Sequence, residues 1–117
     1  MKDSLIYRLF DPVIWHAFRH TGVFRGTEVD LRDGFIHFSA QDQVIATADK
    51  HYKDYSALIL AAILVPETCS DLKWEVSRGG AKFPHLYRDL KFDEISEFWE
   101  LPSDGLGGYI WPEGFSR

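Results

Sequence analysis

The nine residues Ala57-Leu58-Ile59-Leu60-Ala61-Ala62-Ile63-Leu64-Val65 carry no polar side chain, and Pro66 ends them. The run is far shorter than the ~18 residues that a membrane-spanning helix needs, and it shows no polar face for water to wet. It predicts a strand covered on both faces at the centre of a sheet. The rest of the chain must supply that cover. Hydrophobic residues make up 45% and aromatic residues 15% of the 117 positions, enough for one core in a single domain spanning residues 1–117.

Residues 5–10 predict a buried first strand, and Asp11-Pro12 opens a helix with Asp as N-cap and Pro at the first helical position. Ile14, Trp15 and Phe18 fall at helical spacing, and Gly22 stops the helix. Residues 23–32 read as a loop with extended pieces, and an Asp-Gly turn leads into a strand over 33–39. Ser39, followed three positions later by Asp42, resembles a capping box for a helix over about 40–52, with Val44, Ile45, Ala48 and Tyr52 buried. Residues 72–77 alternate, with Leu72, Trp74 and Val76 on one side and Lys73, Glu75 and Ser77 on the other. Arg78-Gly79-Gly80 is a turn; further strands are expected over 83–87 and roughly 94–101, and an irregular tail from about 102. Two helices in the first half and strands crowded into the second indicate an α+β fold with a largely antiparallel sheet.

The chain holds 13 Lys plus Arg against 18 Asp plus Glu, with no basic run. Such a balance disfavours a nucleic-acid partner and leaves a small-molecule ligand as the expected one. Cys69 is the sole cysteine, so neither an intrachain disulfide nor a cysteine zinc site is open to one chain. A cytoplasmic location and no membrane partner are the expectation, since residues 1–7 lack a secretory leader pattern. His16 and His20 are four apart without the intervening acid of a zinc-protease motif, and no metal is expected.

Candidate chemistry concentrates in two short stretches. In Phe35-Ile36-His37-Phe38-Ser39 the extended chain puts Phe35, His37 and Ser39 on one face; in Phe83-Pro84-His85-Leu86-Tyr87 it does the same for Phe83, His85 and Tyr87. Two aromatic strips with polar tips invite the expectation that they meet. His37 competes with a core histidine bonded to a backbone carbonyl, His85 and Tyr87 with a packed aromatic edge, and Glu75 with a solvated strand face. Arg78 and the adjacent glycine amides could receive an anion, although a plain turn needs nothing more.

Ile6-Tyr7-Arg8, Trp15, Phe24-Arg25-Gly26, Asp30, residues 33–39, Gln43-Val44, Thr47, Trp74-Glu75, 77–80 and 83–87 together resemble the domain of unknown function numbered 952. That family is distantly similar to the ADP-ribosyltransferase-like fold, whose members bind NAD between two small antiparallel sheets. Beside the RNA 2'-phosphotransferases, Tyr7-Arg8 falls at a first-strand Tyr-His-Gly-Thr motif, with Arg8 in place of histidine and the Gly-Thr missing. Residues 35–39 fall at a His-x-His-Leu-Ser motif, and either Glu75 or His85 stands for the third position. The resemblance implies attack at the anomeric carbon of NAD, with His37, Glu75 and His85 as catalytic candidates. It makes Arg8 and Arg78 clamps, Ser39 a ribose contact and Tyr87 a stacking wall. The alternatives are a noncatalytic small-molecule-binding module, or an interaction domain docking a partner on exposed aromatics such as Tyr109 and Trp111.

Overall fold

A computed structural model describes residues 3–66 and 68–115, and the Arg78 side chain lies outside the described atoms. The apolar run is strand β4 (Ala57–Val65), flanked by β1 (Ser4–Phe10) on one edge and β8 (Ile95–Pro102) on the other, both antiparallel. Its alternating side chains feed two separate cores. Ile59, Ala61, Ile63 and Val65 join Ile6 and Phe10 in one, while Leu58, Leu60 and Ala62 join Tyr7, Leu9 and Leu101 in the other. Both faces are covered over most of the strand, Leu64 alone being half exposed among its residues, and each fully buried aliphatic side chain contributes roughly 1.5–3 kcal/mol.

Helix α1 (Pro12–Thr21) closes the first core through Trp15 and Phe18. Asp11 accepts the Val13 N–H at 2.7 Å, and the Gly22 N–H returns to the Phe18 carbonyl, as expected of the cap and the stop. A second sheet, ordered β3 (Ile36–His37), β6 (Lys82–Leu86), β5 (Leu72–Val76), lays Ile36 and Leu86 on the same core. A two-stranded ribbon of β2 (Val23–Phe24) and β7 (Leu90–Lys91) adds Phe24 and Leu90. Helix α3 (Val44–His51) covers the second core with Val44 and Ala48, joined by Tyr52 and by Tyr109, Trp111 and Phe115 of the tail.

Several expectations need correction. The 23–32 segment is not merely a loop, because Glu28–Asp33 forms helix α2, giving three α-helices among the described residues where two were expected. Asp30 accepts the Thr27 N–H at 2.7 Å, a capping interaction strong enough to hold a six-residue helix. The 33–39 strand shrinks to Ile36–His37, since Asp33 ends α2 and Gly34 caps it in the left-handed conformation at φ 88°. Proline shortens the other end: the Phe38 N–H donates to Pro84 O at 3.0 Å, but Pro84 has no N–H to return. The chain then crosses to β1, where Ser39 and Tyr7 exchange two backbone bonds of 2.8 Å.

Ser39 does not cap α3, which begins at Val44; Gln43 closes the preceding turn by accepting the Ala40 N–H at 2.9 Å, and Ser39 Oγ lies 3.1 Å from Thr47 Oγ1. On β5 the apolar alternation does not mark burial, because Trp74 and Val76 are 40% and 64% exposed on an edge strand that runs past the core. Tyr109 is not an exposed docking aromatic either. It is buried, its hydroxyl donates to Tyr52 O at 2.6 Å, and Trp111 packs against the same core.

Candidate functional site

Asp30 is the anchor. It is buried on α2, and its carboxylate accepts from Thr27 N–H, Thr27 Oγ1 and the Arg8 guanidinium, whose Nη2 approaches Oδ2 to 2.9 Å. The chain reaches this position only because residue 26 is glycine: φ is 115°, and a Cβ would stand 2.6 Å from Asp30 Cβ. Burial by itself would raise the Asp30 pKa. The bond to His37, the Arg8 charge and the Thr27 N–H outweigh it and hold the carboxyl far below the usual carboxylate range.

His37 presents its backbone N–H and its Nδ1 to Asp30 Oδ1, at 3.1 and 2.7 Å, while Nε2 lies 3.0 Å from Asp33 Oδ2. Both ring contacts are hydrogen bonds to ionised carboxylates only when each nitrogen bears a proton. Arg8 completes the frame by donating to the His37 carbonyl at 2.8 Å. The Arg8 guanidinium lies 4.9 Å from the Phe24 ring centroid, and its Nε is buried with no hydrogen-bond partner among the described residues.

The two strips do meet. His37 pairs directly with His85 across β3 and β6, with ring centroids 5.6 Å apart, and Phe35 stacks on His85 at 4.0 Å and approaches Tyr87 at 5.2 Å. His85 Nδ1 lies 2.9 Å from Glu75 Oε1, the same oxygen that accepts the Tyr87 hydroxyl at 2.6 Å. Those two bonds, that of Tyr87 first, lower the Glu75 pKa, and Glu75 in turn raises that of Tyr87.

A cleft of about 740 Å³ opens beside these groups, floored by β1 and β3 and walled by α2, α3 and the turn after β5. Of the candidates from the sequence, Arg8, Ser39, His37 and His85 line it. Glu75 stands behind His85, and Tyr87 behind Glu75, one layer from the cleft. The Arg78 backbone opens the turn that brings Gly79 to the rim, and its side chain is outside the described atoms. Sequence reasoning gave no role to Asp30 or Asp33, although the Thr27-x-x-Asp30 spacing was a readable cap signal. Lys50 and Thr47 of α3 complete the opposite wall; Thr47 was among the residues that carry the family resemblance, whereas no pattern in the sequence singled out Lys50.

Residues 10–98 match the family model described as "Protein of unknown function (DUF952)". Protein CC0527 of Caulobacter crescentus is similar in fold and sequence. Its crystal structure aligns at TM-score 0.85 and 43% identity over 92% of this chain and 94% of that one, and its solution NMR structure at 0.80 and 44% over 89% and 90%. No curated protein matches the chain.

Proposed function

The chain belongs to the DUF952 family, and from the geometry of its cleft we propose that it binds a nucleotide or sugar-containing small molecule and moves a proton on it. One observation carries this: two histidines from paired strands line the same cleft, each backed by a carboxylate. The cleft volume falls in the range of small-molecule sites. With Nδ1 turned to Glu75, His85 keeps Nε2 as the acceptor, an arrangement in which a carboxylate sets the tautomer of a base.

The finer assignment is ribosyl transfer or hydrolysis of NAD in a cytoplasmic enzyme. Support comes from the bridge between Tyr7 of β1 and Ser39, two residues past β3, which brings both motif segments to one cleft. The bond broken would be that between the ribose anomeric carbon and nicotinamide, which leaves with the electron pair. Water or an acceptor hydroxyl would form the new bond, its proton passing to His85, while the neighbouring carboxylates favour the developing oxocarbenium charge. Arg8, spent on Asp30, would orient His37 in place of clamping a pyrophosphate. Ser39 would contact the ribose; Arg78 remains a proposed clamp and Tyr87 the support of Glu75.

A noncatalytic binding module is the second reading, favoured by the engagement of both His37 nitrogens with carboxylates. Histidine ring NMR with millimolar NAD tests both, alongside chromatography for released nicotinamide. Shifts at His37 and His85 with nicotinamide release lost in His85→Ala support the enzyme, and shifts without release support the module. If NAD, ADP-ribose and ribose 5-phosphate all leave both rings unmoved, the cleft has no such ligand.

A further inference from the structure

Strand β5 is an edge whose outer side carries the pattern of a self-pairing strand. Its inner side is fixed by β6: the Tyr87 N–H donates to Asp71 O, and Trp74 stands opposite Pro84. The Pro84 carbonyl is turned away to Phe38. Trp74 and Pro84 are therefore a pair without mutual hydrogen bonds, and Trp74 directs its own N–H and C=O to the outer edge, which no strand among the described residues pairs with. By alternation Leu72 and Val76 do the same, so this edge presents three donor and acceptor sets.

The side chains match these backbone groups. Trp74 and Val76 lie on the core-facing side of the sheet yet are 40% and 64% exposed, because β5 overhangs the core. On the other side Lys73 and Glu75 alternate in sign. An antiparallel twofold pairing centred on Trp74 sets Leu72 opposite Val76 of the partner subunit, and Lys73 opposite Glu75 of the partner subunit. The latter fall in the closely spaced positions where side chains approach most. Strand β8, one of the two outer strands of the β1-β4-β8 sheet, has the opposite character, since self-pairing at its middle would oppose Glu97 to Glu100 of the partner subunit.

We propose that the chain forms a twofold dimer through the β5 edge, joining two three-stranded sheets into one of six strands with Trp74 on the axis. The inference stands on strand geometry and is independent of any ligand in the cleft. Sedimentation of the full chain from about 10 µM to 1 mM should show the mass rising towards twice 13.5 kDa. Trp74→Arg and Lys73→Glu, each of which brings like charges together, should weaken association by about tenfold or more. In the unaltered chain, amide exchange at Trp74 and Val76 should slow as concentration rises, a readout that does not depend on the variants folding. A monomer at 1 mM, a dimer indifferent to both substitutions, or exchange at Trp74 and Val76 that ignores concentration overturns the proposal.

Discussion

Replacing Asp30 by Ala would leave the Arg8 guanidinium buried without its carboxylate, next to the apolar rings of Phe10 and Phe24. Urea unfolding at pH 7 should show a loss of about 3–5 kcal/mol. The sign of the pH dependence follows from the same residue. Its folded pKa lies below its ordinary 3.8, so the stabilisation is complete above that value and is lost as pH falls through the folded one. Stability should decline on acidification below about pH 4, and Asp30→Asn should flatten that limb. Tyr87→Phe removes the largest cause of the Glu75 shift, so the side-chain carboxyl resonance of Glu75 should titrate closer to its ordinary 4.5. Gly26→Ala forces a Cβ onto Asp30 and a side chain into a positive φ. It should cost about 2 kcal/mol or more and shift the His37 ring resonances, because Asp30 cannot stay in place.

Element by element, what could be read from the sequence depended on how completely neighbouring residues determine a segment. Helix α1 was legible because cap, proline and stop are all local; Asp11→Ala should lower the melting midpoint, at a cost of about 1 kcal/mol. Strand β4 was legible because continuous apolarity admits few other environments. By contrast β2, β3 and β7 are two residues each and are defined by partners distant in sequence, so no periodicity announces them. Helix α2 is held largely through Asp30, whose hydrogen bonds also serve Arg8 and His37, and only the fold shows that one carboxylate does all three. Strand β5 was legible only in part: alternation tells which side chains share a face, and only the placement of the sheet tells whether that face is covered. The meeting of His37 and His85 was foreseeable as a resemblance between two strips, whereas the carboxylate behind each histidine was not, since Asp30 and Glu75 come from other elements.

Across the whole molecule, two cores back onto one central strand, and the second is closed by the tail as much as by α3. Tyr109→Ala would remove a buried ring and its bond to Tyr52, and should cost at least about 3 kcal/mol, read as a lowered midpoint in thermal unfolding. Among the described residues no helix is long and apolar enough to cross a membrane. The division of β4 between two cores has a consequence for the unfolded chain. Nine apolar residues with high strand propensity and no charge form a segment that would readily stack with copies of itself if released. Its protection is wholly tertiary, because β1 lies some fifty residues upstream and β8 some thirty downstream, and both must arrive before the strand is shielded. Loss of the tail or of either flanking strand should thus appear first as aggregation during refolding, and only second as a change in equilibrium stability.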